Sequence, residues 1–276
     1  MKFSEERVIS SDQAAGLNFR ELWSYRELFY FCTWRDVKVK YKQTVLGVFW
    51  VVLQPVITVA IFSFFFGRAL KVPSEGLPYP VFVFSGLLFW NFFSASVSNA
   101  GNSMLTNATI IKKIYFPRVI IPVSALLVSG VDLLISFLVF VAVLVYYQTP
   151  VDVLQLMLYW PLAVVLLIIG TLGISCWLAA LNVKYRDFRY VIPFGLQVAL
   201  FLSPVIYPTT IVKTHWLGYL LALNPMHAVI NLFRIPIIGL TSDINLLFIS
   251  VASSVLLLIW GLYYFNRTEA FFADIA

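Results

Sequence analysis

Side chains able to do covalent chemistry are few in this sequence of 276 residues, and their spacing builds no recognisable catalytic set. The two histidines, His215 and His227, stand without an acidic or thiol cluster, so no metal centre is expected. No glycine is followed by lysine, which leaves out a phosphate-cradling G-x-x-x-x-G-K-[ST] loop. Paired carboxylates of the kind that hold a metal and a sugar nucleotide are not recognisable either. Asp132 is the one formally charged residue inside the long apolar stretches. Two roles are open to it: part of a proton or ion path, or a polar packing residue hydrogen bonded to a neighbouring helix. With no basic partner or second acid in those stretches, packing is the favoured role. The run 94–103 (SASVSNAGNS) is open in the same way, to close helix contact or to a polar path, and packing is again preferred. Whatever energy drives this protein must come from a partner.

The elements that would position these residues are six apolar stretches, at about 48–67, 80–103, 119–147, 154–181, 191–207 and 245–266. All 19 Lys and Arg fall outside them, with 15 in the N-terminal arm, second loop, fourth loop and tail and 4 in the remaining loops. Positive residues of short loops stay cytoplasmic, so both termini are expected on that side, in agreement with an even number of spans. Hydrophobic residues make up 61% of the chain and charged residues 12%, too little charge to cover a water-soluble surface. The net charge of +6 sits beside the bilayer, where anionic headgroups are the natural partner, and is not read as a nucleic-acid footprint. No disulfide between Cys32 and Cys176 is expected, nor a cleaved signal peptide. The expected fold is an all-α integral membrane protein: six transmembrane helices, an N-terminal amphipathic interface helix within a cytosolic arm (1–47), and re-entrant helices before the last span of the membrane domain (48–276).

Within the arm, Phe19, Trp23, Tyr30, Trp34, Val37 and Tyr41 recur at helical spacing with a break at Arg26, while Arg20, Arg35, Lys38 and Lys42 are assigned to the other side. Asn18 and Glu21 have capping-box spacing. Such a helix lies in the headgroup plane, either as an orientation anchor or as the lateral approach of an amphiphile whose polar part meets aromatic faces. The second loop, 105–118, is a short helical segment with Asn107 placed to cap it and Pro117 to end it. The fourth loop, 182–190, is dense in charge. Short basic loops are expected of any membrane protein. The apolar side chains Ile110, Ile111, Ile114, Tyr115 and Phe116 nevertheless favour a protein contact. From Pro204 to Pro236 the chain is apolar but broken by Pro204, Pro208, Pro225 and Pro236 into pieces, 211–223 and 226–235, too short to span. They are expected to dip in and turn back, as an extracytoplasmic gate (about 208–238) or as a lid packed over the bundle.

Ordered along the chain, RDVKVKYKQTVLGVFW (35–50), LQP (53–55), FSGLLFW (84–90), LNVKYRDF (181–188), SPVIY (203–207) and LNPM (223–226) resemble the ABC-2 type permease subunits of ABC exporters for O-antigen and related surface polysaccharides. The resemblance implies a homodimer in the bacterial inner membrane, joined on the cytosolic side by two copies of a separate ABC ATPase. That ATPase binds ATP and Mg; this chain carries no cofactor, and its substrate is a lipid-linked polysaccharide. By position it implies ATPase coupling through Asn107, Lys112, Lys113, Tyr115 and Arg118, with Arg186 and Asp187 as a second contact. It implies substrate access along Trp23, Tyr30, Trp34 and Tyr41, a conduit including Phe49, Trp50, Gln54, Gln197, Phe201 and Tyr207, and a gate that includes Pro204, Pro208, Asn224 and Pro225. Rival cargoes within the superfamily are teichoic acid, capsule or another amphiphile. A membrane-embedded transferase would need acids, a histidine or a metal cluster at the membrane boundary. An ion-coupled carrier is disfavoured by the solitary Asp132.

Overall fold

The computed structural model describes residues 19–42, 47–212, 214–239 and 243–269. The proposed cap at Asn18 lies outside them, and the side chains of Phe19, Arg20 and Glu21 are likewise not described. Among the described residues every regular element is a helix. In chain order these are α1 (Phe19–Ser24), α2 (Arg26–Lys42), α3 (Gly47–Phe62) with a π-helical continuation at Ser63–Ala69, α4 (Tyr79–Thr106), α5 (Ala108–Lys113), α6 (Ile120–Tyr146), α7 (Val153–Lys184), α8 (Phe188–Leu202), α9 (His215–Ala222), α10 (Pro225–Ile238) and α11 (Ile244–Thr268).

Local chemistry sets the boundaries. Asp152 accepts from the backbone N–H of Leu154 and Gln155 to start α7, and Asp243 accepts from Asn245 N–H at 3.0 Å to start α11. Asn224 caps α10 through Met226 N–H at 3.0 Å, with Pro225 at the first helical position and Gly239, at φ 71°, closing the helix in the left-handed region.

Among the described residues five helical segments are long and apolar enough to cross a membrane: Phe49–Ala69, Tyr79–Thr106, Ile120–Tyr146, Val153–Lys184 and Ile244–Thr268. The stretch expected to span at 191–207 departs from that reading. Its helix, α8, starts earlier and stops at Leu202, because Pro204 disfavours helical backbone at Ser203, which is extended. Fifteen residues rise only ~22 Å at about 1.5 Å each, short of the ~30 Å apolar thickness. The broken segment behaves as expected in shape: α9 and α10 meet at 97°.

Lipid tails are as apolar as leucine, so burial from water does not hold such helices together; close van der Waals fit does. α4 is the hub, packed by α6, α7 and α10. Phe233 of α10 sits with its ring 4.5 Å from both Phe89 and Trp160, and the Trp160 indole donates to the Phe233 carbonyl at 3.0 Å. α7 and α11 approach until their backbones touch: a Cβ on Gly261 would lie 2.0 Å from the Gly173 carbonyl oxygen, so only glycine allows that crossing.

Candidate functional site

α2, α3, α4 and α6 border an open cavity of about 740 Å³. Its polar lining is Lys40, Tyr41, Gln54, Asn91, Ser94, Ser129, Asp132 and Ser136, and Trp50 and Phe92 supply ring faces. A carboxylate halfway along an apolar helix is expensive to desolvate. α2 meets that demand by bringing Lys40 into an ion pair with Asp132 and the Tyr41 hydroxyl into hydrogen-bond donation to its other oxygen. Burial, and then the bond to Asp132, push the Tyr41 phenol well above its usual range, so it stays a donor.

This geometry corrects two expectations. Asp132 does have a basic partner, supplied by the arm rather than by another span; its hydrogen-bonded packing role stands. Tyr41 turns inward to the cavity and leaves the aromatic stripe. The stripe itself is exposed at Trp23, Tyr30 and Trp34, with the last two rings stacked at 6.3 Å. Lys38 lies over the Trp34 ring, on the same face as the aromatics rather than opposite them. The inward face of α1 and α2 includes Leu22, Tyr25, Leu28 and Phe29, which join the cluster that holds Ile111 and Phe116, and Cys32 is buried.

Two of the six proposed conduit residues, Trp50 and Gln54, therefore share one cavity with Tyr41. Phe49 is exposed on α3 beside them. Gln197 and Phe201 are exposed on α8, and Tyr207 donates from its hydroxyl to the Phe201 carbonyl at 3.0 Å. These three are not among the residues lining that cavity.

At the end of the molecule read as cytoplasmic, α5 runs over Ala108–Lys113. The Asn107 side chain does not cap it as expected. Its amide oxygen accepts instead from Arg35 of α2 at 2.8 Å, and its nitrogen donates to the Ser103 carbonyl. Nor does Pro117 end the helix, which stops at Ile114, already extended. Ile111 and Phe116 are buried, while Lys112, Lys113, Ile114 and Tyr115 face outward. Arg118 bonds the backbone carbonyl of Glu269 and so fastens this segment to the end of α11. In the fourth loop Arg186 and Asp187 are exposed, and the buried Asn182 ties that end of α7 to the Gly101 carbonyl at 2.8 Å.

At the opposite end, Asn224 donates to Ser203 Oγ at 2.7 Å, joining the tip of the α9–α10 bend to the turn after α8. Pro204 belongs to that turn, Pro208 precedes the 3-10 turn Thr209–Ile211, and Pro225 opens α10. The strongest tie here was not singled out from sequence. Arg234, 3% exposed, donates to Ser85 Oγ, to the Pro204 carbonyl at 2.7 Å and to the Phe82 and Val205 carbonyls, with its guanidinium 3.8 Å over the Phe82 ring. One side chain thus binds α10, α4 and the α8 turn. The available signal was an arginine inside an apolar helix.

The ABC-2 type transporter family profile matches residues 27–238. The chain is 30% identical over 252 residues to the O-antigen export system permease protein RfbA of Klebsiella pneumoniae, covering 90% of this chain and 95% of that one. It is 29% identical over 218 residues to the RfbA permease of Myxococcus xanthus, 78% of this chain and 82% of that protein. Similarity to the polysialic acid transport protein KpsM of Escherichia coli is 25% over 249 residues, 86% and 92% of the two chains.

Proposed function

The chain belongs to the ABC-2 type transporter family, and from that membership we propose that it is the transmembrane subunit of an ATP-driven exporter carrying a lipid-linked, O-antigen-like polysaccharide out of the cytosol. The observation that carries this reading is that similarity to O-antigen permeases runs through the arm, the spans and the gate alike, over 90% of the chain. In this proposal two copies assemble in the bacterial inner membrane with cytoplasmic termini. Two cytosolic ABC ATPases join them and bind the ATP and Mg.

The residues divide the work. Trp23, Tyr30 and Trp34 offer ring faces at the headgroup plane, suited to the apolar faces of sugars. Trp50, Gln54 and Tyr41 continue that polar and aromatic surface into the cavity, and Phe49, Gln197, Phe201 and Tyr207 extend it along α3 and α8. Amide, hydroxyl and ring contacts are individually weak and repeated, which lets a long polymer slide. Ile114 and Tyr115, flanked by Lys112 and Lys113, meet the ATPase. Asn107, held by Arg35, and Arg118, held by Glu269, brace that contact against α2 and α11, so a push on α5 is passed to the helices rather than lost in the loop. Arg186 and Asp187 form the second contact, and Pro204, Pro208, Asn224 and Pro225 shape the gate.

The test is reconstitution with the partner ATPase in proteoliposomes. ATP hydrolysis stimulated by the lipid-linked glycan, with export of the polymer, is the expected result. Ile114→Asp should lower stimulated hydrolysis about tenfold, since a charge desolvated at an apolar contact costs at least ~1.4 kcal/mol. A preparation that never recruits an ATPase sinks the proposal. Capsule export is the second reading, favoured by the similarity to KpsM, and the chemical identity of the glycan that stimulates hydrolysis separates the two.

A further inference from the structure

The bend between α9 and α10 encloses a second cavity, of about 350 Å³, at the end of the molecule opposite α5. Its floor is a polar line on an otherwise apolar helix: His227, Asn231 and Arg234 recur at i, i+4 and i+7 of α10, one helical face, and all three border the cavity and are buried. Polar side chains buried in line are unfavourable unless something satisfies them. Arg234 is satisfied by the protein, as described. His227 and Asn231 are not held in that way. The imidazole of His227, 3% exposed, has the Asn231 amide nitrogen at 3.4 Å from either ring nitrogen, the outer edge of hydrogen bonding. Across the cavity stand two carboxylates. Glu75 accepts from the Thr210 hydroxyl at 3.1 Å, and Asp243 uses Oδ1 to cap α11. Tyr219 and His215 of α9 add rings to the lining, and Thr209 and Thr214 add hydroxyls.

We infer that this cavity is an extracytoplasmic binding site for a single sugar unit of the exported polymer, an inference that rests on the polysaccharide reading above. The lining selects by elimination. The Arg234 guanidinium offsets one of the two carboxylates, so the lining has no large excess of either sign to favour a free ion, and the polar line opposes an acyl chain. An uncharged polyhydroxylated ring matches each remaining group. Its hydroxyls donate to the two carboxylates, exchange bonds with the Asn231 amide and the His227 imidazole, and its C–H face lies on Tyr219. The volume falls at the lower end of the ~300–1,000 Å³ usual for small-ligand pockets, so the site takes one ring and not a chain. A sugar held there between ATP cycles keeps an emerging polymer from slipping back.

The experiment uses the purified chain assembled with its ATPase, and as probe short delipidated fragments of the source strain's own surface polysaccharide. Binding is read by saturation-transfer NMR and by the part of the tryptophan fluorescence that Trp216→Phe removes, Trp216 being exposed on α9 beside the cavity. The wild type should bind saturably. Glu75→Gln with Asp243→Asn should weaken binding about tenfold, the loss expected when charge-assisted bonds become neutral ones, and asparagine preserves the α11 cap. Gly218→Leu provides an independent arm. Gly218 borders the cavity, and a Cβ there meets only Leu246 at 3.8 Å, so leucine fills the space without touching the polar line. This variant should fold, assemble and fail to bind. A wild type that exports the polymer yet binds no fragment, a Gly218→Leu variant that binds like wild type, or equal competition by inorganic phosphate or calcium overturns the site and leaves the export reading intact. A wild type that exports no polysaccharide overturns the reading beneath it.

Discussion

α4 and α3 are both apolar spans, but the most apolar window of α4 is 78% buried inside the chain and that of α3 only 11%. α4, α7 and α10 pack together as a frame within one copy, and α11, its own window only 17% buried, lies along α7. α3, with α8, presents its large side chains outward: Phe49, Trp50, Val56, Ile57 and Ile61 on one, Val191, Phe194, Val198 and Phe201 on the other. In a bilayer such faces are content with lipid, so exposure alone carries no penalty. What distinguishes them is composition, because glutamines 54 and 197 and tryptophan 50 stand among the apolar residues, and amides facing acyl chains would be left without partners. The frame is built to hold still, and the outward helices are built to meet something.

The sharpest way to break this contrast is at Arg234. Arg234→Leu leaves the Phe82, Pro204 and Val205 carbonyls and the Ser85 hydroxyl without their donor, and buried unpaired groups cost about 1–3 kcal/mol each. The expected outcome is a loss of several kcal/mol, seen as collapse of the folded fraction in detergent by size exclusion and thermal melting. An Arg234→Leu protein as stable as wild type would show that the frame does not depend on this tie. At the outward helices the expectation reverses. Trp50→Ala and Phe201→Ala should leave the melting midpoint unchanged within a degree or two, since each side chain is more than half exposed, while export falls severalfold. If both variants export like wild type while α5 variants lose ATP-linked transport, these residues do not line the conduit.

Much of this was legible in the sequence, for physical reasons that also explain what was not. Hydropathy finds a helix that must satisfy its backbone in lipid, so α3, α4, α6, α7 and α11 were located to within several residues. Pro225 separates α9 from α10, which exposed their bend, but Pro236, expected as a further break, lies inside α10, as Pro55, Pro161 and Pro193 lie inside α3, α7 and α8. Cap and stop signals did worse: Asn107 has the right type and position to cap α5, yet a long-range bond from Arg35 claims its side chain, and spacing carries no trace of a partner 72 residues away. The basic partner of Asp132 is invisible for the same reason, because Lys40 lies on α2, outside the apolar stretches. Arg234 was visible as a basic residue but was counted among loop charges, since the broken segment around it does not read as a span.

The Lys40–Asp132 pair joins the arm to α6, and its effect on stability should be smaller than that of Arg234. Both side chains keep some exposure, so the several kcal/mol of a fully buried pair shrinks to about 1–2 kcal/mol. The two single variants should differ. Lys40→Met strands a carboxylate in the middle of α6, where it has no stem to carry it to water. Asp132→Asn leaves an ammonium on a flexible chain near the interface, able to swing out. Lys40→Met is therefore expected to be the more destabilising, and the double variant to recover part of that loss. Melting midpoints of the four proteins decide it. Strict additivity would mean that the two groups do not sense each other and that α2 is held to α6 by the Tyr41 hydrogen bond and apolar packing. Recovery would mean that the arm is anchored to the bundle by neutralising one intramembrane charge, at the wall of the cavity that also holds Trp50 and Gln54.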